Sequence, residues 1–566
     1  LENLEQVEVI KGASSALFGS SALNGIINLR TQYARDKPIT KFSLFYGSYD
    51  APRSTYKWWK GSSQTQRGVN FSHAQKIGDL DIVIGGHKFS DAGFRMFETE
   101  ERERFNANLR YQFTKVPGLS VGINTNMMNT KGGLFFLWQS YDSAYVPQGR
   151  TIQNYNNDRF NVDPYITYFS GKNKFSLRNR YFKTNNTNDK NQGSYAELYY
   201  SEFQYQRTFA NNLTLTAGAV CMEQMILGDS LYGKHGGQNR AAYLQADKRL
   251  FDKLTVSAGV RGEYYKVDTA QTKGYLFPSL RNTQLPFQPV GRLGLNFQAF
   301  EYTFVRASFG QGYRFPSVAE KFVNTAVSSL KIYPNSALQP EKAWSAELGV
   351  KQGFRIGNFR GFADVAGFYT EYRNMIEFVF DIYRPGGPTG IFYLDQKYAG
   401  FKSQNVGRAV ISGGEVSLNG TGKIGPVNLT VFSGYTYINP VAPNFNPLTD
   451  TLGLPGIMTL KYRSKHLLKS DVQIDWKSFS VGYSVRYQSK VVNIDRRFVM
   501  SILHEYNDVA NGINWDDVPA TYILPGMREH LDKFQKDVWV HDARVSFACS
   551  KNLKFSFIVN NFTNVE

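Results

Sequence analysis

Aromatic and cationic side chains recur together in three stretches of this chain. An aromatic ring offers its face to a cation, and an arginine guanidinium matches a planar anion such as a carboxylate. The combination suits an anionic and partly aromatic small molecule, and it suits an anionic glycolipid equally well. The candidate ligand-binding residues are Trp138, Tyr141, Tyr145, Arg150, Arg314, Tyr333, Arg384, Tyr393 and Tyr398.

Catalytic chemistry is not indicated by any residue pattern. The glycine-rich run from Lys11 to Gly25 lacks the spacing of glycine, lysine and serine or threonine that cradles a phosphate. After His504, the zinc-protease spacing needs a second histidine where Asp508 stands. The histidines are scattered, and no nucleophile elbow is present. The sequence therefore predicts no enzyme activity, no cofactor and no metal site.

A two-residue period of apolar and polar side chains runs through most of the chain. In the segment 479–488, Phe, Val, Tyr, Val and Tyr alternate with Ser, Gly, Ser, Arg and Gln. Successive side chains of a strand point to opposite faces, so each such segment has one apolar and one polar face. Many apolar faces cannot share one small core, and these must meet something other than protein.

The same period separates charged from apolar residues. In the segment 254–267, Val256, Ala258, Val260 and Tyr264 share one face, and Thr255, Ser257, Arg261 and Glu263 share the other. An arginine or lysine facing lipid at mid-membrane would cost roughly 2–4 kcal/mol. We therefore predict that the first set faces lipid and the second faces a lumen.

The connections between these segments are short and long in turn. Tight turns are predicted at sites such as Pro117-Gly118, Asn211-Asn212 and Lys477-Ser478. Such alternation is typical of an outer-membrane barrel, which has tight turns at one end and large loops at the other. The long connections are predicted at 130–157, 314–341, 374–409, 438–465 and 493–536.

Counting the segments predicts an architecture. The first strand is expected near 39–47, the eleventh near 254–267, the nineteenth near 479–492 and the twenty-first near 553–560. An odd number leaves an open edge, which lipid does not tolerate, so one more strand is expected beyond Glu566. The predicted fold is all-β, a 22-stranded antiparallel transmembrane β-barrel with about 21 strands visible. A β-sandwich or a propeller is the alternative, but neither explains the alternating connections.

Composition agrees with this class. Aromatic residues make up 15% of the 566 residues, glycines number 50, and no apolar run is long enough for a membrane helix. The net charge of +18 is dispersed along the chain, so nucleic acid is not an expected partner. Cys221 and Cys549 are far apart and are expected to be unpaired. Leu1 does not look like a native start, and we expect the chain to begin inside a longer protein.

The first residues do not share the membrane-strand pattern. They predict a strand at 7–10, a turn at Lys11-Gly12 and a second strand at 26–29, as in a small globular insert. A barrel of 22 strands has a lumen wide enough to require a plug. We therefore predict that residues 1–32 are the C-terminal part of a plug and that residues 33–566 form the barrel. Gly12, Gly19 and Gly25 provide backbone freedom in the plug or are ordinary turn glycines.

Four stretches carry a family resemblance. The run LEQVEVIKGASSALFGSSALNGIINLRT (4–31) resembles the end of the plug domain of TonB-dependent outer-membrane receptors. YRFPSVAEKF (313–322) and PNSALQPEKAWSAELGVK (334–351) resemble a later signature of that family, and VNNFTN (559–564) resembles the run before its last strand. Ala13 departs from the usual proline, and Pro334-Asn335 reverses the usual order of that pair.

The resemblance implies energised uptake across the outer membrane of a Gram-negative bacterium. Its expected partners are TonB with its inner-membrane energising complex, lipopolysaccharide, a small-molecule ligand and, in some assemblies, a surface lipoprotein. Haem receptors of this family generally carry a histidine between the two later signatures, whereas residues 317–333 contain none. The missing histidine disfavours haem relative to a siderophore or cobalamin. The aromatic and cationic residues named above favour a ferric siderophore over cobalamin or an oligosaccharide. Tyr333 could ligate iron or could simply pack on a neighbour.

Two other functions stay open. The fold could serve as a structural or partner-recruiting barrel in a larger assembly, or as a passive porin. A TonB-binding segment upstream of Leu1 would favour transport, and its absence from the gene would favour the scaffold. A porin requires an open lumen, which a plug would prevent.

Overall fold

The computed structural model describes residues 3–11, 19, 25–34, 36–52, 57–140, 143–267, 287–327, 330–383, 398–443, 457–495, 498–499 and 526–565. Within them the fold is almost entirely β. The elements are β1 (Leu4–Lys11), β2 (Gly25–Thr31), β3 (Ile39–Ser48), β4 (Thr65–Ile77), β5 (Leu80–Asp91), β6 (Glu100–Gln112), β7 (Leu119–Phe135), β8 (Ile152–Ser170), β9 (Asn173–Asn188), β10 (Ser194–Thr208), β11 (Leu213–Gly228), β12 (Gly233–Leu250), β13 (Leu254–Val267), β14 (Gln288–Phe300), β15 (Thr303–Arg314), α1 (Val318–Phe322), β16 (Thr325–Val327), β17 (Leu330–Tyr333), β18 (Glu341–Ile356), β19 (Phe359–Arg373), β20 (Ile376–Ile382), β21 (Ala399–Asn405), β22 (Arg408–Ile424), β23 (Val427–Val441), β24 (His466–Trp476), β25 (Phe479–Gln488), α2 (Met527–Phe534), β26 (Val538–Ala548) and β27 (Lys554–Val559).

Twenty-one of the strands form one antiparallel wall whose order follows the chain and returns from β27 to β3. These wall strands are β3 to β15, β18, β19 and β22 to β27. Neighbours are joined by long registers, such as the one from Leu119↔Tyr168 to Phe135↔Ile152 between β7 and β8. The predicted all-β barrel with 21 visible strands is therefore confirmed.

The seam between β27 and β3 differs from the other junctions. All six residues of β27 and nine of the ten residues of β3 are exposed. Among the described residues, the seam lacks the long register that joins the other neighbours. Both strands run in the same direction because twenty antiparallel steps separate them. The twenty-second strand stays a prediction.

The predicted strand positions agree closely with the wall. The eleventh wall strand spans Leu254–Val267, and the last spans Lys554–Val559. The nineteenth was expected to reach 492 but ends at Gln488. Several strands are much longer than the 9–11 residues that cross a bilayer, and β8 has 19 residues. The loop between β7 and β8 is correspondingly shorter than the predicted connection.

The two faces of the wall have the predicted chemistry. Val260 is 60% exposed on the outside, whereas Arg261 and Glu263 are buried inside. Nearer the loop end, the outer face becomes charged, and Lys88 pairs there with Glu103 at 2.7 Å. The thiols of Cys221 and Cys549 are exposed and unbonded. The apolar belt below these charges is the surface that fits lipid.

A second sheet lies among the outer loops, and the sequence pattern did not predict it. Its four strands are ordered β16-β17-β21-β20 and come from the connections before β18 and before β22. The pairing of β17 with β21 is parallel, with Ile332 opposite Phe401. We call this unit the outer-loop sheet. It turns two long connections into one folded body.

The first described residues form the predicted hairpin. β1 and β2 pair antiparallel from Leu4↔Thr31 to Lys11↔Gly25. Arg30 donates to the Glu8 carboxylate at 3.2 Å across the hairpin. Gly25 has a φ of +129°, which favours glycine at the hairpin end. The division into a plug and a barrel at residue 32 stays a prediction.

Helices are few and short. α1 has five residues and α2 has eight. Across the described part of the chain, no helix is long and apolar enough to span a membrane.

The assignment of faces predicts opposite effects for two arginine substitutions in β13. Val260→Arg places a charge in the apolar belt and should cost roughly 2–4 kcal/mol of unfolding free energy. Ser257→Arg places it in the lumen beside Asp247, to which the Ser257 hydroxyl donates, and should cost far less. Urea unfolding of the protein in phospholipid vesicles measures both. Equal costs would show that the faces are assigned wrongly.

Candidate functional site

The segment after β15 is built around a short capped helix. The Ser317 hydroxyl accepts from the backbone N–H of Glu320, and the Glu320 carboxylate accepts from the backbone N–H of Ser317 at 2.7 Å. This reciprocal pair is a capping box, which satisfies helix N–H groups that would otherwise lack partners. It fixes where α1 begins at the mouth of the barrel.

Arg314 ties this helix to the start of β18. Its guanidinium donates to the Glu341 carboxylate at 2.6 Å and to the Glu320 carboxylate at 2.9 Å. Glu341 is only 7% exposed, so this cation compensates a largely buried charge. Arg314 thus joins the two separated signature stretches of the sequence. It was predicted as a ligand residue, and that role stays a prediction.

A buried aromatic cluster anchors the same segment to the wall. Tyr313 is 1% exposed and packs with Phe315 and Val318 against residues of β13 and β14. The Phe315 ring stacks on the Tyr265 ring at a centroid distance of 4.3 Å. The Tyr313 hydroxyl donates to the carboxylate of Glu263, which is fully buried. The loop segment is therefore held down onto the inner face of β13.

Gly19 approaches the same inner face of β13 from inside the lumen. It is buried, its φ is +80°, and a Cβ placed there would lie 2.9 Å from Arg261 Nη2 and 3.3 Å from Glu263 Oε2. Both the backbone conformation and the close approach require glycine. We call Gly19 the plug tip, after the predicted assignment of residues 1–32 to a plug. It lies toward the loop end of the lumen, because Arg261 and Glu263 are in the upper half of β13.

A cavity of about 530 Å³ lies between the plug tip, the wall and the loop segment. Arg178 and Glu202 face each other across it at 4.0 Å. The Asn239 side-chain oxygen is buried there without a hydrogen-bond partner among the described residues. Other residues that line the cavity include Tyr200, Gln224, Tyr265, Phe315 and Ser317. The cavity thus combines aromatic faces with a cation and acceptors.

Three tyrosines gather on the outer-loop sheet, and two of them were predicted as ligand residues. The Tyr333 ring lies 5.3 Å from the Tyr383 ring, and the Tyr333 hydroxyl donates to the Tyr398 carbonyl at 3.2 Å. Lys331 lies over the Tyr398 ring and Lys402 over the Tyr383 ring, each within 6 Å of the centroid. We call these five residues the tyrosine cluster. Burial and the neighbouring Tyr398 raise the pKa of Tyr333.

The other predicted ligand residues belong to a different loop or are not described. Trp138 is exposed and bridges to Pro147, and the Tyr145 ring meets the edge of the Phe94 ring at 5.6 Å. These contacts place Trp138 and Tyr145 in a separate group from the tyrosine cluster. Tyr141, the Arg150 side chain, Arg384 and Tyr393 lie outside the described residues, as do Gly12 and the Lys11 side chain.

The lumen charges pair with one another along the wall. Arg486 donates to the Asp542 carboxylate at 3.1 Å, and Arg544 donates to the Asp471 carboxylate at 2.6 Å. The strands of the wall bring these opposite charges into reach of each other. Among the described residues, the Arg261–Glu263 pair also lies close to Gly19.

A buried ionic group fastens the outer-loop sheet to its neighbours. Lys461 and Asp495 are 2% and 1% exposed and form an ion pair, and Tyr462 donates to Asp495 at 2.7 Å. Glu377 on β20 lies 3.9 Å from both Lys461 and Arg463. Burial raises the pKa of Glu377, although these cations oppose the shift. The group was not singled out in the sequence because its members are far apart there.

Comparison with known proteins places this geometry in a family. The model for the TonB dependent receptor-like β-barrel matches residues 31–562. The chain belongs to this family. Among curated proteins, the vitamin B12 transporter BtuB of Vibrio vulnificus (strain CMCP6) is 25% identical over 390 residues, which cover 66% of this chain and 55% of that protein. The chain therefore spans about half the length of this relative.

Solved structures share the fold of this TonB-dependent receptor-like barrel. The siderophore receptor PirA from Pseudomonas aeruginosa has a TM-score of 0.68 at 15% identity, covering 99% of this chain and 83% of that chain. The ferric-catecholate import receptor Fiu from K12 E. coli has a TM-score of 0.67 at 15% identity, covering 99% and 82%. Identities this low show the fold alone.

The role of Arg314 predicts a specific destabilisation. Arg314→Ala leaves the largely buried Glu341 without its cation and should lower the unfolding free energy by about 1–3 kcal/mol. It should also speed proteolysis between 314 and 341. Arg373→Ala is the control, because Arg373 is 75% exposed and lies 3.7 Å from its nearest carboxylate. Equal effects of the two substitutions would contradict the anchoring role.

The raised pKa of Glu377 predicts how the outer-loop sheet responds to pH. A folded-state pKa above the unfolded value of 4.5 means that stability falls as pH rises through the folded pKa. Glu377→Gln should therefore increase protection of β20 at neutral pH, with the difference from wild type vanishing toward pH 4.5. Hydrogen exchange, corrected for its intrinsic pH dependence, measures this effect. Glu301→Gln, in a tight turn, controls for loss of charge, and an unchanged pH slope in Glu377→Gln would refute the assignment.

Proposed function

We propose that this barrel takes up a scarce ligand across the bacterial outer membrane, driven by TonB, and that the ligand is a ferric siderophore. The observation that carries the proposal is the position of Gly19, which lies in the lumen against Arg261 and Glu263 and shares a cavity with Phe315 and Ser317 of the segment after β15. A leading segment that plugs the lumen, as the sequence predicts, would not serve passive flow. The outer membrane has no energy source of its own, so moving the plug requires work supplied from elsewhere.

The tyrosine cluster on the outer-loop sheet has side chains that suit an anionic, partly aromatic ligand. Lys331 and Lys402 supply positive charge next to Tyr333, Tyr383 and Tyr398, and aromatic faces accept cations or stack on rings. A ferric siderophore combines negative charge with a rigid, often aromatic shell. The printed names of the structurally similar PirA and Fiu concern siderophores and ferric catecholates.

Cobalamin is the second candidate, because the curated relative is a vitamin B12 transporter. A corrinoid offers a large flat ring and little net charge. It would therefore use the tyrosine faces and depend little on the lysines. This difference separates the two candidates experimentally.

Uptake by cells that produce the full-length protein tests the proposal. Cells with and without TonB are given radiolabelled iron on siderophores of several classes or radiolabelled cobalamin. TonB-dependent iron uptake supports the proposal, and TonB-dependent cobalamin uptake alone would replace the ligand. No uptake, with the barrel copurifying with a partner, would favour the scaffold function. Steady large conductance in planar bilayers would favour a porin.

The tyrosine cluster predicts a charge requirement for binding. Replacing Lys331 and Lys402 with alanine should weaken binding of an anionic siderophore about tenfold, because each exposed ion pair with the ligand contributes up to about 1 kcal/mol. Lys423→Ala, at the short-turn end of β22, is the matched control. Fluorescence quenching in purified protein measures the affinity. Unchanged affinity in the double variant would exclude the tyrosine cluster as the binding surface.

A further inference from the structure

The residues Arg261, Glu263 and Tyr313 stand out because they connect three parts of the molecule. Glu263 is fully buried and Arg261 is 6% exposed, although both belong to a polar lumen. The Glu263 carboxylate accepts from Asn239 Nδ2 at 2.5 Å, from Arg261 Nε at 2.7 Å and from the Tyr313 hydroxyl. We call Arg261, Glu263 and Tyr313 the junction.

The junction leaves its members little freedom. Arg261 is held by Glu263 and also lies over the Tyr243 ring, 5.7 Å from its centroid. A buried carboxylate that lost one of its donors would be left with an incompletely satisfied charge, which makes each bond costly to break. The arrangement is therefore stable as a whole, and a partial rearrangement is unfavourable.

Two parts of the chain are linked to the junction from opposite sides. Gly19 presses on Arg261 from the lumen, where even a methyl group would come within 2.9 Å of the guanidinium. Tyr313, near the end of β15, donates to Glu263, and the next residue, Arg314, donates to Glu320 of α1. Gly19 therefore meets the buried ion pair directly, and α1 is linked to it through the last two residues of β15.

We propose that the junction couples the positions of the plug tip and of α1, so that Arg261 and Glu263 act as positioning residues for both. The inference rests on the proposed function, in which ligand capture by the loops and displacement of the plug are linked events. Coupling between two sites is reciprocal in free energy, so a change imposed on either side must appear on the other. That reciprocity makes the proposal testable without ligand or TonB.

The outer side is tested with two tyrosine variants of the purified full-length protein. Tyr313→Phe removes only the hydroxyl that reaches Glu263 and keeps the ring in its cluster. Tyr265→Phe is the matched control, since Tyr265 is also buried in that cluster but its hydroxyl accepts from Gln224. Hydrogen exchange should become about tenfold faster at the peptide containing Gly19 in Tyr313→Phe and not in Tyr265→Phe.

The lumen side is tested with two glycine variants. Gly19→Ala displaces Arg261 and should speed exchange at α1 by a similar factor. Gly25→Ala is the control, because Gly25 also has a positive φ but lies at the end of the β1–β2 hairpin. Faster exchange at α1 with Gly19→Ala alone supports the junction.

Either of two results overturns the proposal. In one, Tyr313→Phe speeds hydrogen exchange at α1 but leaves exchange at the Gly19 peptide as in wild type. In the other, Gly19→Ala speeds hydrogen exchange in the plug but leaves exchange at α1 as in wild type. Because neither experiment measures uptake, a failure of the junction is distinguishable from a failure of the transport function, which the uptake assay reports separately.

Discussion

Backbone N–H and C=O groups that face lipid have no water to bind, and this constraint determines the wall. Away from the seam between β27 and β3, the wall strands satisfy their polar groups through long antiparallel registers with their neighbours, as between β7 and β8. The pairing also fixes which side chains face outward, since a slip of one residue would reverse every face. The lumen, the plug position and the loop anchors all depend on that register.

The charged side chains on the polar inner face fall into two groups that differ in burial. Most are paired across neighbouring strands while still partly exposed, as for Arg306 with Glu347 and Asp364. Such pairs contribute little stability individually, because water competes for them. Arg261 and Glu263 are instead almost fully buried, and the bonds between them are correspondingly harder to exchange. This pair lies where the plug tip meets the segment that follows β15.

Much of the wall could be read from the sequence because its physical signal is local. Alternation with a period of two predicted the strand at 254–267 with both ends correct. Turn residues such as Gly118 and Asn212 have the positive φ that such turns need. The outer-loop sheet gave no such signal. β16 and β17 are only three and four residues long, and the parallel partner of β17 comes about seventy residues later.

The candidate site was only partly readable for a similar reason. Tyr333 and Tyr398 were both singled out, but nothing in the sequence indicates that they meet. Arg314 was read as a ligand residue, although its neighbours carried a structural signal: a serine three residues before Glu320 is a capping box, and Glu341 stands at the start of a strand. Glu263 was identified only as a lumen charge, because burial by a distant segment leaves no trace in its own strand.

The length of β8 has a consequence for how the molecule meets its surroundings. Its 19 residues, at about 3.3 Å each and a tilt near 40°, rise roughly 45 Å, whereas the apolar band of such barrels is about 25 Å tall. The surplus extends the wall above the lipid as a charged rim, in which Lys88 pairs with Glu103. A rim of this height lifts the mouth of the barrel and the outer-loop sheet clear of the lipid surface.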